Sequence, residues 1–325
     1  MSPDPRDQWK ALTESCGVFP LQYRRFWRVS GEDRSAFLQG MLTNDVRQLE
    51  PGRGMAAAHL DRNGKIVADL RTYATKDEIL LDVLAERAEP LRQALERFVV
   101  ADDVEIEAAA EQPLVGLEGP AAAEVLARVA ETAAPAERFA HVVFERDGVP
   151  LRLIAASELG RRGFVLAGPE AQRDAWLERL QQAGALLAGD QALEIVRIES
   201  GTPRYGVDMN EGHLVMEVGL PDAISFSKGC YLGQEVVERV AARGHVNRRL
   251  CGLLIDGDTV PAPGTALHAA EREAGYVTSA ARSFALDRIV ALGYVQRAFW
   301  DPGSELDAAG SRATVSPLPF VPAPG

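Results

Sequence analysis

Strand-like runs joined by tight turns alternate with amphipathic helices over residues 31–199, whereas only strand-like runs remain after residue 246. The clearest turn is Asn63-Gly64, which separates apolar runs at 55–60 and 66–73. Asn-Gly supplies the positive φ angles that a tight hairpin loop needs, so these two runs are predicted to pair as a β-hairpin. Hairpins interleaved with helices favour an α+β fold over a doubly wound parallel sheet.

Periodicity and turn residues predict the other elements of this body. Ser30 and Asp33 resemble a capping box and Gly40 suits a C-terminal stop, which predicts a short helix over 31–39. A strand is predicted at 78–84, and a helix after it, because Leu91, Leu95 and Phe98 follow at helical spacing. Further helices are predicted at 120–131, 169–183 and 190–199, and further strands at 104–108, 114–117, 141–155 (a hairpin around Asp147-Gly148) and 164–167.

The region after residue 246 has a different texture. Its short runs at 250–256, 266–268, 274–283, 289–296 and 313–317 are divided by Gly, Pro and Asp, and none has helical periodicity. This pattern predicts a small C-terminal antiparallel β-barrel. We therefore expect two domains, 1–245 and 246–325, with a subdivision of the first near 112–190, and an extended or loose tail at 317–325, which holds four prolines.

Charge excludes one class of partner. The 47 acidic and 35 basic side chains give a formal net charge of −12. A uniformly basic nucleic-acid binder needs clustered Lys and Arg to neutralise phosphates, so direct nucleic-acid binding is not expected. No apolar run approaches the roughly 18 residues of a membrane span, and the polar N-terminus lacks the order of a secretion signal, so we expect no membrane partner.

Cysteine and histidine usage indicates the setting. Cys16, Cys230 and Cys251 contain no CxxC pair and are too few for a disulfide framework. The five histidines are scattered, whereas a structural zinc site needs ligand pairs at short spacing. We expect a reducing cytoplasmic location and no metal site.

The most informative segment is Lys-Gly-Cys-Tyr-Leu-Gly-Gln-Glu, from Lys228 to Glu235. Two glycines flank Cys-Tyr-Leu and allow a sharp turn or a close approach to a ligand. A helical pattern follows, so Cys230 is predicted near a helix N-terminus and close to Lys228, both of which favour a thiolate. Cys230 is thus a candidate catalytic thiol tuned by Lys228. The alternative is a small buried residue in a glycine-rich turn.

This segment resembles the signature of the YgfZ family, folate-binding proteins related to the glycine-cleavage T-protein. The resemblance continues, in order, through 37–45, 64–69, 197–208 and 239–250, and so covers nearly the whole chain. It implies a T-protein-like folate-binding α+β body with a C-terminal barrel. It also implies an accessory role in assembly or repair of iron–sulfur enzymes, with an indirect influence on tRNA thiomethylation, and iron–sulfur client or assembly proteins as partners.

The same resemblance gives the cysteine and the ligand their roles. Cys230 would be the active residue of the accessory function; one cysteine cannot hold a permanent cluster, because stable iron–sulfur clusters ordinarily need several ligands. The cofactor would be tetrahydrofolate or a derivative. Its pterin offers adjacent N–H and NH₂ donors that match a carboxylate, for which Asp69 and Glu199 are candidates. Its anionic tail suits Arg204, Arg239 or Arg243. The alternative for each is a surface charge or a structural ion pair.

One departure bears on catalysis. T-proteins carry two adjacent acids in the segment that corresponds to Ala68-Asp69, and this chain keeps only the second. Aminomethyl transfer through folate is therefore the second hypothesis, behind the accessory role. A structural interaction module with a vestigial pocket is the third.

Overall fold

The computed structural model describes residues 3–244 and 246–322, with the side chains of Pro221 and Arg243 outside the description. Its first unit is a five-stranded antiparallel sheet with strand order β3-β4-β5-β2-β6. The elements up to residue 108 are α1 (Pro5–Glu14), β1 (Gly17–Pro20), β2 (Arg24–Ser30), α2 (Arg34–Met41), β3 (Gly54–Leu60), β4 (Ile66–Ala74), β5 (Ile79–Leu84), α3 (Ala85–Glu96) and β6 (Glu105–Ala108). Of these, α1 and β1 belong with the second sheet.

The second sheet has six strands in the order β11-β1-β7-β10-β9-β8. It takes β1 from the N-terminus, so its strands do not form one continuous stretch of chain; the predicted subdivision near 112–190 stays a prediction. Its other elements are β7 (Gln112–Glu118), α4 (Ala122–Ala130), β8 (His141–Arg146), β9 (Val149–Ile154), β10 (Gly163–Gly168), α5 (Arg173–Gln182) and β11 (Leu186–Leu187), and α6 (Asp190–Glu199), α7 (Val215–Val218) and α8 (Gln234–Arg243) follow.

The C-terminal region is a closed antiparallel barrel, β12-β15-β14-β13-β16-β17. Small apolar side chains such as Ala274, Ala291 and Ala313 lie fully buried inside it. The predicted α+β fold with a C-terminal barrel is confirmed. The barrel strands are β12 (Arg248–Ile255), β13 (Ala266–Ala269), β14 (Arg272–Arg282), β15 (Ile289–Gln296), β16 (Glu305–Ala308) and β17 (Ser311–Ser316).

The two sheets of the body pack face to face. Tyr73 and Phe26 of the first sheet meet Phe19 and Val165 of the second in one apolar cluster. The outer face of the first sheet is covered by α2 and α3, which bury Leu38 and other residues against it. Alternate residues of each body strand therefore face either a helical layer or the space between the sheets. None of the helices in the described ranges has the length and apolar character needed to cross a membrane.

The helix predicted over 31–39 begins and ends later, at Arg34 and Met41. The capping-box prediction is wrong, because the Asp33 carboxylate accepts the backbone N–H of Asp103 instead of capping α2. Gly40 is not the stop either and lies inside the last turn. The helix end is held by a distant side chain, Lys228, whose ammonium donates to carbonyl oxygens there.

The C-terminal tail is not loose over its described part. The backbone N–H groups of Phe320 and Val321 both donate to the carbonyl oxygen of Glu199, at 2.9 and 3.1 Å. The Leu318 and Phe320 side chains pack with the apolar cluster around Ile198. The prolines restrict the backbone, and these contacts anchor it across the junction of body and barrel; residues 323–325 of the predicted tail lie outside the described residues.

Candidate functional site

Asp69 lies on the face of β4 that points away from the helices. Its neighbours along the strand, Ala68 and Leu70, face the helical layer, while Asp69 and Arg71 face the space between the sheets. The Asp69 side chain is partly buried, and its Oδ1 atom has no hydrogen-bond partner among the described residues. Burial raises the pKa of Asp69 above its ordinary value of 3.8, against the opposing effect of Arg24 and Arg71. A buried carboxylate oxygen without a partner is costly unless a ligand satisfies it.

Two arginines and two acids form a buried charged cluster beside Asp69. The Arg24 Nε donates to Asp82 Oδ1 at 2.6 Å, and Arg24 Nη1 lies 3.4 Å from Glu158 Oε2. The Arg71 guanidinium donates to Glu158 Oε1, and its Nη1 lies 3.6 Å from Asp82 Oδ2. We call Asp69 together with these four residues the Asp69 site.

Glu158 reaches this cluster on the loop between β9 and β10, which a second buried acid fixes in place. Glu118, the last residue of β7, accepts the Ser157 hydroxyl at 3.0 Å and the Glu158 backbone N–H at 2.7 Å. Gly160 brings the same loop against Thr202, where an added Cβ would lie 2.0 Å from the Thr202 hydroxyl oxygen. The loop is therefore held from both sides.

The buried Glu118 should make stability depend on pH. Burial raises the pKa of Glu118 from 4.5 to about 7, against the opposing hydrogen bonds from Ser157 and the backbone. Between these values the folded protein holds a proton that the unfolded chain releases, so the Glu118 contribution to stability falls as pH rises through this window. Between pH 4.5 and pH 8, the free energy of unfolding of Glu118→Gln should rise by about 3 kcal/mol relative to that of the native protein.

Urea unfolding of both proteins across this pH range measures the difference. Glu137→Gln is the matched control, because Glu137 pairs with Arg53 on the surface and its substitution should give a flat difference. If the difference in free energy of unfolding between Glu118→Gln and the native protein were also independent of pH, the pKa of Glu118 would not be raised.

Tyr205 approaches Asp69 from the segment after α6. Its ring is buried under the Arg87 guanidinium, 4.7 Å from Arg87 Cζ to the ring centroid. Arg87 is itself tied to the Val67 carbonyl of β4 and to Glu211. The Tyr205 hydroxyl is buried close to Glu211, and burial, Glu211 and Asp69 raise the pKa of Tyr205 against the opposing charge of Arg87. Tyr205 therefore adds a buried hydroxyl near the Asp69 carboxylate.

Glu199 occupies a structural junction. Its carboxylate accepts Trp9 Nε1 at 2.8 Å and Ser283 Oγ at 2.5 Å, and thus joins α1 to the barrel. Its carbonyl oxygen holds the tail. Glu199 stays a prediction as a pterin ligand, but its carboxylate already has partners, in contrast to that of Asp69.

Replacing Glu199 by alanine is expected to lower the free energy of unfolding by about 3 kcal/mol, because Trp9 and Ser283 would keep buried donors without an acceptor. Urea unfolding measures this change. Glu271→Ala, at an exposed turn of the barrel, is the control and should cost under about 0.5 kcal/mol. Equal effects of the two substitutions would contradict the junction role of Glu199.

The arginines proposed for the folate tail lie in different surroundings. The Arg204 guanidinium lies 3.1 Å from Glu194 and is half exposed. Arg239 is exposed on α8. Arg243 ends α8, but its side chain lies outside the described residues. Arg161, which sequence reasoning missed, is half-buried on the loop that carries Glu158, and its Nη1 atom has no partner in the described part of the chain.

Lys228 is an internal anchor. Its ammonium donates to the carbonyl oxygens of Gln39, Leu42 and Asn44 at 2.7, 2.6 and 2.8 Å. It also lies 5.0 Å from the centroid of the Tyr231 ring. Burial lowers the pKa of Lys228 to about 8, opposed by Asp45. All three ammonium protons are directed to carbonyls, so this contact set accounts for Lys228 without the Cys230 thiol.

Cys230 is exposed, in contrast to the buried Cys16 and Cys251. The following helix α8 begins at Gln234, so Cys230 precedes its first turn rather than lying within it. Gly233, with φ of 83°, approaches the β3–β4 turn so closely that an added Cβ would lie 2.5 Å from the Asp61 carbonyl oxygen. The signature thus packs against the predicted hairpin, with its thiol open to solvent. A role for this thiol stays a prediction.

Sequence reasoning proposed Asp69 as a ligand residue, which stays a prediction, but missed the residues around it. Arg24, Arg71, Asp82, Glu118 and Glu158 belong to no motif, and each lies in a strand or loop whose sequence carries only its own local pattern. Alternation along 66–74 would have placed Arg71 on the same strand face as Asp69. Among the described residues, no group of three or more His, Cys, Asp or Glu side chains could hold a metal ion.

Two family models match the chain along most of its length. The model described as the GCVT N-terminal domain matches residues 2–228. The model described as the glycine cleavage T-protein C-terminal barrel domain matches residues 248–322.

Known relatives agree with these matches. An aminomethyltransferase of Thermus thermophilus is 32% identical over 318 residues, 96% of this chain and 89% of the relative. One of Geobacillus kaustophilus is 30% identical over 97% of this chain and 90% of the relative. A chloroplastic "putative transferase" of Arabidopsis thaliana is 29% identical over 78% of this chain, and the match spans only 59% of that relative.

The fold also has a solved counterpart. The crystal structure of the glycine cleavage system aminomethyltransferase T from Bartonella henselae superimposes with a TM-score of 0.89 and covers 98% of this chain and 90% of that one. The two sequences are 23% identical, so this likeness shows the fold alone.

Proposed function

The chain belongs to the glycine-cleavage T-protein family, and from that premise we propose that it binds tetrahydrofolate at Asp69 and acts as a folate-dependent aminomethyl (one-carbon) transferase. The observation that carries this proposal is the buried Asp69 Oδ1 atom without a partner among the described residues. Its relatives with matching length are named aminomethyltransferases.

The residues present fit a pterin. A carboxylate accepts two hydrogen bonds side by side, and the pterin edge presents an N–H and an NH₂ in that arrangement. Asp69 would hold this edge, and the buried Tyr205 hydroxyl near it could donate or accept another hydrogen bond. Tetrahydrofolate, when bound, supplies the nitrogen that takes the one-carbon unit; the part of this chain is to bind, orient and exclude water.

Ala68, which stands where T-proteins carry the first of two acids, is compatible with aminomethyl transfer. Ala68 is fully buried in the apolar cluster under α2 and α3, on the opposite face of β4 from Asp69. Successive side chains of a strand point to opposite faces, so an acid at position 68 would face the helices rather than a ligand beside Asp69. This placement of Ala68 supports aminomethyl transfer as the proposed function despite the departure in the Ala68-Asp69 segment.

For the folate tail we propose the exposed Arg239 on α8 as a carboxylate partner, with Arg204 and Arg243 as further candidates. Arginine binds carboxylates through two parallel hydrogen bonds, and an exposed side chain is free to adopt that geometry. Arg204 would first have to exchange its contact with Glu194.

A second candidate function has one observation in its favour. Cys230 is the exposed one of the chain's three cysteines, and it lies in the Lys-Gly-Cys segment that resembles the YgfZ family. On this hypothesis the protein supports assembly or repair of iron–sulfur enzymes through the Cys230 thiol, with folate as its ligand. The Thermus, Geobacillus and Arabidopsis relatives are not named for such a role.

Two measurements distinguish the candidates. Calorimetric titration with reduced folates tests binding, which both functions require. A glycine-cleavage assay with a lipoylated carrier protein then tests transfer, for which we expect turnover that depends on tetrahydrofolate. Binding without turnover, together with loss of iron–sulfur enzyme activity in cells that carry only Cys230→Ser, would favour the accessory role. Absence of binding at millimolar ligand would reject both.

A further inference from the structure

Glu158 is the residue through which the loop of the second sheet meets both arginines of the first. Its Oε1 accepts from Arg71, and its Oε2 lies 3.4 Å from Arg24 Nη1. The Glu158 side chain is 7% exposed, so both contacts lie in a largely dry environment. Arg71 Nη2 also donates to the Ser157 carbonyl at 2.8 Å, which turns this guanidinium toward the loop.

Both arginines lie within reach of Asp69. Arg71 is two residues beyond Asp69 on the same face of β4, about 7 Å away between Cα atoms. Arg24, on β2, lies close enough to Asp69 for its charge to lower the Asp69 pKa against the effect of burial. An extended guanidinium side chain spans such a distance, and a nearby carboxylate is its preferred partner. Asp69 nevertheless keeps an oxygen without a partner in the described residues, because these arginines are directed to other acids.

The charges that face Asp69 come from every element packed around it. Arg24 comes from β2, Arg71 from β4 itself and Glu158 from the β9–β10 loop, while Tyr205 approaches from the segment after α6. Behind these lie the groups that face the arginines and Glu158 in turn, namely Tyr23, Tyr73, Asp82 and Glu118. Asp82 and Glu158 together balance the two arginines, and Asp69 is the acid left over.

We propose that Glu158 is a positioning residue of the Asp69 site. It holds Arg24 and Arg71 away from Asp69, so that the Asp69 carboxylate stays open to the pterin. The inference rests on the proposed function for its biological meaning. The effect of Glu158 on Asp69 already exists in the ligand-free protein. Without Glu158, the nearest acid that still lacks a partner is Asp69, and an arginine would close on it.

The test follows the Asp69 carboxyl carbon by NMR in ligand-free protein labelled at aspartate, with its signal assigned by its absence in Asp69→Asn. In Glu158→Gln the midpoint of the Asp69 titration should move to lower pH by about one unit, a tenfold change in proton affinity, because an opposite charge within hydrogen-bond reach favours the ionised form. Tetrahydrofolate binding at pH 7.5 should weaken about tenfold, because an arginine would occupy the carboxylate.

Glu158→Asp distinguishes release of the arginines from simple loss of a negative charge, and a double variant tests whether Arg71 is the arginine that closes on Asp69. Glu158→Asp keeps the charge but is one methylene too short to span both arginines, so its Asp69 midpoint should fall by roughly half as much as in Glu158→Gln. The double variant Glu158→Gln/Arg71→Gln removes one acid and one base, and its midpoint should return to within about threefold of the native proton affinity. It also keeps the site neutral if the single variant fails to fold.

Glu107→Gln is the matched control, since Glu107 pairs with Arg28 on the exposed edge of the same sheet and should leave Asp69 unchanged. A Glu158→Asp protein that titrates at Asp69 like the native one, or a double variant that stays tenfold lower, would overturn the proposal. If the native protein fails to bind tetrahydrofolate, the proposed function fails, while the ligand-free titrations still decide the role of Glu158.

Discussion

Asp69→Asn is expected to weaken tetrahydrofolate binding about 100-fold, a loss of about 2.7 kcal/mol. The carboxylate would accept two charge-assisted hydrogen bonds from the pterin edge, each worth about 1.5 to 3 kcal/mol. An asparagine keeps one acceptor but turns an NH₂ toward a donor of the ligand, so one bond is lost and two donors meet. Isothermal titration of both proteins with a reduced folate at pH 7.5 measures the difference.

The same substitution should not harm the fold. Because burial raises the pKa of Asp69, the folded protein holds the ionised carboxylate at a cost, and this contribution to stability falls as pH rises above the ordinary aspartate value. Asp69→Asn removes that cost, so the free energy of unfolding at pH 7.5 should be unchanged or higher. Binding within threefold of the native value, in a variant that is folded, would contradict the role given to Asp69.

The position of Asp69 on its strand could be predicted from the sequence because its signals are local. The Asn63-Gly64 turn fixes the register of the hairpin, and alternation along β4 then fixes which residues share a face with Asp69. Register in the structure pairs Asp69 with Ala58 on β3. The strand of Asp69 and the turn before it thus follow from the sequence, whereas the role of Asp69 as a folate ligand stays a prediction.

The surroundings of Asp69 could not be predicted in this way, because their partners are far apart in the chain. Glu158 is separated from Arg24 by 134 residues and from Arg71 by 87. No periodicity or spacing reports such a contact; it exists because two sheets pack face to face and bring one loop over one strand. A charged residue in a loop otherwise reads as a solvated side chain, and Glu158 carries no local feature that distinguishes it.

The prediction of where α2 ends was wrong for the same reason. Gly40 is the residue that local rules favour as a stop, and an ordinary C-terminal glycine satisfies carbonyls through the backbone. Here the carbonyls of Gln39 and Leu42 are satisfied by Lys228, which is 189 residues from the first of them. The signature segment, which sequence reasoning treated as chemistry around a thiol, thus also performs a structural task that only the fold reveals.

Lys228→Met is expected to lower the free energy of unfolding by about 4 kcal/mol. Methionine fills a similar volume but donates nothing, so the carbonyls of Gln39, Leu42 and Asn44 would lose their charged donor, each at a cost of about 1 to 3 kcal/mol that solvent entry partly relieves. Lys65→Met is the matched control, because the Lys65 ammonium makes one exposed bond, to the Gly212 carbonyl at 2.6 Å, and its loss should cost under about 1 kcal/mol. Urea unfolding at pH 7 measures both.

The same pair of variants tests whether Lys228 also tunes the thiol. Cys230 should alkylate fastest of the three cysteines in the native protein, because Cys16 and Cys251 are buried and burial raises the pKa of Cys16 to about 12. If Lys228 acts only as an anchor, Cys230 in folded Lys228→Met protein should be alkylated at the native rate or faster, because the segment around this exposed thiol becomes looser. A Cys230 rate that falls several-fold in Lys228→Met but not in Lys65→Met would show that the ammonium favours the thiolate as well, and would return Lys228 to the chemistry that its place in the signature predicts.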